Sequence, residues 1–183
     1  MQTPSIRLSE LALGQLLATV SDAGLPLLPE AAYSAKAFLL ARDEWEKLGL
    51  VELDFDGALH PQPRFARMLH NLMKWRSVLL VSGGGEETIF VRGPVDLLQL
   101  RRDGKDFWRI ALRPLTEARW LVRRLLEAPG GEEWTLTVQA AGDEEPRTAA
   151  DSPSAADAAQ RAQAVLQHFY RREGNAVCRK KPS

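Results

Sequence analysis

The chain has 183 residues, 45% hydrophobic and 26% charged, enough to bury the core of one globular domain. Its single cysteine, Cys178, excludes an intrachain disulfide, and no apolar run approaches the roughly 20 residues a membrane span needs. The formal net charge is zero, but residues 1–63 carry 4 Lys/Arg against 9 Asp/Glu, residues 64–124 carry 13 against 6, and residues 125–183 carry 7 against 9. A basic middle between acidic ends implies either an acidic partner or segments that neutralise one another once folded.

In chain order, residues 1–7 read as a frayed start. Ser9 is a candidate N-cap for a first helix carrying Leu11, Leu13, Leu16, Leu17 and Val20, which stops at Gly24 before Leu25-Pro26. Pro29 suits the first turn of a second helix running to about Leu48, with Gly49 as its C-terminal glycine. Val51, Leu53 and Phe55 then alternate with Glu52, Asp54 and Asp56, and Asp56-Gly57 turns the chain back toward Leu59 as a small hairpin. A third helix starts near Pro63, with Phe65, Met68, Leu69, Leu72 and Met73 on one stripe. Helix, helix, hairpin wing and helix together have a winged-helix-like order.

The next stretch organises the chain. Ser77–Val81, Thr88–Arg92, Leu97–Arg101 and Phe107–Leu112 are short apolar or β-branched runs, separated by a glycine triplet, Gly93-Pro94 and Asp103-Gly104. That predicts an antiparallel meander, with the triplet as a mobile loop. In its last strand, Trp108, Ile110 and Leu112 point to the core, and Phe107, Arg109, Ala111 and Arg113 point the other way. A helix over 115–128 follows, then a strand at Trp134–Val138, a loop over 140–153 and a last helix over 154–172. The expected fold class is therefore α+β: a β-meander with packed helices and a winged-helix-like portion. One domain spans residues 1–172, with the helical and wing portion over 8–75 and the sheet with its helix over 76–141; residues 173–183 form a flexible tail.

No catalytic, metal or nucleotide motif emerges, so no enzyme activity, metal or cofactor is expected. His60, His70 and His168 are scattered over different elements. The Ser82-Gly83-Gly84-Gly85 run lacks the Gly-Lys-Ser/Thr end of a phosphate loop and sits between strands. The wing carries Glu52, Asp54 and Asp56, which phosphates would repel, so nucleic acid is disfavoured. Arg92, Arg101, Arg102, Lys105, Phe107, Trp108 and Arg109 instead gather cations and aromatics in one local region, the residue types of protein interfaces. The alternative for each is that Trp108 is core and the arginines are solvated.

The order of these elements and their turn residues carries a resemblance. Trp45–Gly57 (WEKLGLVELDFDG), then a helix, then VLLV, TIFV and LLQLRRDG, then FWRIALRPL leading into a helix, together resemble the EspG-like chaperones of type VII secretion, in particular their short Gram-positive relatives. The resemblance covers roughly residues 8–126 and implies a cytoplasmic, non-enzymatic adaptor. Such an adaptor would hold a helical secreted client, here an acidic one, through the sheet and the helix after it. The chain is shorter than the better-known members and shows one late helix rather than a bundle, so the resemblance carries over a region, not individual residues. A winged-helix regulator of transcription and an immunity-type protein that neutralises a secreted toxin stand as alternatives. The start of the chain lacks the basic-then-apolar layout of a signal peptide, which agrees with the cytoplasm.

Overall fold

The computed structural model describes residues 5–20, 25–28, 33–83, 85–127, 133–150 and 155–171. In chain order these form β1 (Ile6–Ser9), α1 (Glu10–Val20), α2 (Ala35–Lys47), β2 (Val51–Leu53), β3 (Leu59–Pro61), α3 (Pro63–Met73), β4 (Ser77–Gly83) and β5 (Glu86–Arg92). There follow β6 (Leu97–Arg102), β7 (Phe107–Arg113), α4 (Glu117–Leu126), β8 (Trp134–Ala140), β9 (Arg147–Ala150) and α5 (Ala155–Tyr170). The fold class is α+β, as expected. Seven strands make one sheet in the order β1-β7-β6-β5-β4-β8-β9, every neighbour antiparallel. The predicted meander is β4 to β7, each strand running slightly beyond its apolar run. β2 and β3 pair apart from the main sheet as the expected hairpin, with Val51 opposite Pro61 and Leu53 opposite Leu59.

Helices cover the sheet on both faces, but not evenly. On one face Val78, Ile89, Val91, Leu98, Leu100, Trp108 and Ile110 pack with Leu13 and Leu16 of α1, Trp45 of α2, and Phe65, Met68 and Leu72 of α3. On the other, Leu79, Val81, Phe90, Leu97, Leu136 and Val138 pack with Ala118 and Val122 of α4 and Ala158, Ala162, Val165 and Phe169 of α5. Phe90 and Phe169 are completely buried in this second core. Each such side chain contributes roughly 1.5–3 kcal/mol relative to exposure. The second core takes residues from β4, β5, β6, β8 and β9, and none from β7 or β1. The layer of α4 and α5 therefore stops at β6.

Local chemistry explains the helix ends. Ser9 caps α1: its Oγ accepts from Ala12 N at 3.1 Å. The same Oγ donates to Glu44 Oε2 at 2.5 Å and Ser9 N donates to Glu44 Oε1 at 2.7 Å, which ties α2 to the start of α1. Ser34 caps α2, and Gly49 takes φ +64°, the left-handed conformation that ends a helix. Pro63 opens α3 at its first turn.

Three expectations need correction. Residues 6 and 7 are not a frayed start: Ile6 to Ser9 pair with Ile110 to Phe107, because Ile6 and Leu8 alternate with Arg7 and bury their side chains in the first core. The stretch after β8 is not all loop, since Arg147–Ala150 adds a strand against β8, with Ala149 buried. The second helix begins at Ala35, where Ser34 supplies the cap, rather than at Pro29. The placement of Pro29, the full glycine triplet and the tail over 173–183 lie outside the described residues.

Candidate functional site: an arginine row on the uncovered half of the sheet

Cross-strand register builds the site. Thr88 lies opposite Arg101, Arg101 opposite Arg109, and Arg109 opposite Arg7. Directly opposed residues project from the same face of a sheet. Arg101, Arg109 and Arg7 thus form a row across three adjacent strands, β6, β7 and β1, on the face that α4 and α5 leave open. Their side chains are 48%, 58% and 56% exposed.

Like charges directly opposite one another repel, so the row needs counter-charges. Asp103, in the β6–β7 turn, supplies one: its Oδ2 lies 2.8 Å from Arg7 Nε and 3.0 Å from Arg109 Nε. The Arg109 hydrogen bond is the chief reason the Asp103 carboxyl is held below its ordinary value. Slight burial opposes it, and the charge of Arg109 with the contact from Arg7 reinforces it. Arg101 pairs with Glu86 across β5. Arg7 also lies over the ring of Phe107, 3.8 Å from its centroid. Further along the same face Arg113 Nε donates to Gln99 Oε1 at 2.8 Å. The face therefore sets four arginines against two carboxylates, with a partly exposed aromatic among them.

Arg119 of α4 sits over Tyr170 of α5, 4.4 Å from the ring centroid, so that flank of α4 faces α5. Ala118 and Val122 turn the other side of α4 into the second core, so Trp120, about 200° round the helix from Ala118, projects away from the sheet together with Arg124. Trp120 is exposed and carries Arg124 4.9 Å from its ring centroid.

The predicted residues divide between three environments. Arg101, Phe107 and Arg109 are together on the open face. Lys105 is exposed at the turn beside Gly104, which takes φ +79°. Arg102 points to the opposite face, where its guanidinium lies 4.8 Å from the Trp108 ring and donates to Glu10 Oε1 at 3.1 Å and to the Lys105 carbonyl at 3.0 Å. Trp108, 2% exposed, is core, and no arginines ring it as a surface anchor. Arg92, 7% exposed, is also inside: its Nε donates to Ser77 Oγ at 2.9 Å and its Nη2 to the Arg171 carbonyl at 2.8 Å. Ser77 Oγ in turn donates to the Phe169 carbonyl at 2.7 Å, so this pair closes the end of α5 onto the sheet. Trp108 and Arg92 are therefore withdrawn from the surface. Arg7 is the member that sequence reasoning missed; the Ile6-Arg7-Leu8 alternation was the available signal.

At the β4–β5 turn, Glu86, Glu87, Glu133, Arg101 and Arg102 line a depression of about 550 Å³. Carboxylates outnumber cations there, so it is no phosphate cradle. Among the described residues no cluster of three or more His, Cys, Asp or Glu is placed to hold a metal ion. Among them, too, no helix is long and apolar enough to cross a membrane. Comparison of the sequence with models of protein families and with curated proteins finds no match.

Proposed function

We propose that this protein is a non-enzymatic cytoplasmic adaptor that binds an acidic, helical segment of a secreted client of a type VII-like system. The client lies on the open half of the sheet, over β1, β7 and β6. One observation carries this reading: Arg7, Arg109 and Arg101 stand in register on a sheet face that contributes nothing to the second core, with Phe107 beside them. A row of guanidiniums across neighbouring strands matches carboxylates spaced along one side of a helix, and arginine with aromatic neighbours is the composition of interface centres. The resemblance of element order to the EspG-like chaperones supports the choice of client.

The test uses tagged protein in its native cytoplasm, with wild type compared against the triple variant R7E/R101E/R109E and the single variant R102E. Recovery of an acidic helical secreted protein by wild type and by R102E, and its loss from a triple variant of unchanged circular dichroism, is the expected result. Equal recovery by a folded triple variant sinks the reading. R102E is the informative control, since Arg102 is close in sequence but on the other face.

A further inference from the structure

We infer that the same open face is held, in the absence of client, by the acidic wing of a second copy of this chain. This rests on the reading of the arginine row as a binding surface and adds its regulation. The wing is the turn between β2 and β3. Its apex is Phe55, fully exposed, with Asp54 and Asp56 beside it and Glu52 on the strand below.

The turn is rigidly built. Asp54 Oδ1 accepts from Asp56 N at 3.0 Å and from Ala58 N at 2.8 Å, Gly57 N donates to the Asp54 carbonyl at 3.0 Å, and Gly57 takes φ +77°. His60 Nε2 lies 3.0 Å from Asp54 Oδ2. The chain thus spends one carboxylate on fixing a turn whose outermost side chain is a bare phenylalanine. An aromatic displayed from a pre-ordered turn loses little freedom on docking, the condition that lets one side chain anchor an interface.

Charge selects the occupant. The wing presents Asp56 beside Phe55, while Asp54 is held within the turn and Glu52 accepts from Gln62; the open face presents Arg7 over Phe107, with Arg109 and Arg101 in register beside it. A carboxylate beside an aromatic thus meets guanidiniums beside an aromatic, so the two surfaces are complementary within one sequence. The wing cannot reach its own row. Val51 packs in the core under α1 to α3, on one side of the sheet, and the row projects from the other. The contact is therefore between copies, and because wing and row lie on opposite sides of the sheet it is heterologous and adds copies in sequence rather than closing as a two-fold pair. A client with acidic residues competes directly with the wing.

Sedimentation velocity of the purified chain over a concentration series, at low and high salt, tests this. The weight-average mass rises with concentration at low salt and falls back to monomer at high salt. F55A, D56K and R109E each weaken association by about tenfold or more. An equimolar mixture of D56K and R109E regains it, since the reversed wing then meets the reversed face. A chain that stays monomeric throughout overturns the inference, and so does association that survives F55A or a mixture that fails to recover. Client capture by D56K is scored separately: its arginine row is intact, so capture is retained. Loss of capture there, with wild-type self-association intact, counts against the adaptor reading and leaves the wing contact standing.

Discussion

Gly93 has no room for a side chain because Asn71 occupies the space: a Cβ at Gly93 would lie 1.7 Å from Asn71 Oδ1 and 2.5 Å from its Cγ. Asn71 is buried on α3, so the contact presses the helix directly onto the turn between β5 and β6. Gly93→Ala is expected to destabilise the fold by about 1–3 kcal/mol, the usual cost of overpacking. Asn71→Ala removes the obstructing atoms, so Gly93→Ala should cost less in that background. A double-mutant cycle by urea denaturation measures this coupling, and strict additivity would contradict the contact.

Arg92 and Arg101 lie on the same face of the sheet, yet they should behave oppositely. Arg92→Ala leaves the Ser77 hydroxyl and the end of α5 without their buried donor, and is expected to cost roughly 2–3 kcal/mol. Arg101→Ala removes an exposed pair with Glu86 and should leave the denaturation midpoint nearly unchanged while weakening client capture. Equal losses of stability in the two variants would mean that the buried position of Arg92 is misassigned.

These two arginines also mark how far the sequence could be read. Alternation along Phe107–Arg113 separated Trp108 from Phe107 and Arg109 correctly, since β7 gives no residue to the second core, although Ala111 on that same face is buried. Alternation fails on the inner part of β5, where Thr88 to Arg92 are all buried because helices cover both sides. There an arginine looks the same whether it reaches solvent or ends under α5. β1 and β9 were missed for a different reason. Four residues such as IRLS or RTAA carry no propensity strong enough to declare a strand, and only pairing with β7 and β8 makes them one.

Asp143 connects the turn after β8 to α5. Burial pushes its carboxyl up, but the hydrogen bonds from His168 (2.6 Å) and Ala140 N (2.9 Å), with the charges of His168 and Arg147, outweigh it and hold the group below its ordinary 3.8. A carboxyl depressed on folding contributes stability above its unfolded value and loses it as pH falls through the folded one. Unfolding free energy should therefore decline as pH drops below about 4. Asp143→Asn should flatten part of that decline, measured by denaturant melts across the acid range. A pH profile identical to wild type would refute the linkage.

Asp103 moderates the arginine row, so Asp103→Asn should sharpen it. With Arg7 and Arg109 no longer bridged, binding of an acidic client is expected to tighten a few-fold at low salt and to fall more steeply as salt rises. Titration of client at several ionic strengths gives both values. An unchanged salt slope would mean that the row does not meet the client's carboxylates.

The pairing of β1 with β7 has a consequence for synthesis on the ribosome. Arg7 and Asp103 meet across 96 positions of sequence, and β7 must leave the ribosomal exit before β1 has a partner. Until then, Ile6 and Leu8 have no sheet to cover, and β1 has no partner strand. The third guanidinium of the row thus arrives only when this long loop closes, a slow, non-local step. The three strands of the row can nonetheless pair before β8, β9 and α5 have left the ribosome, whereas the second core must wait for them.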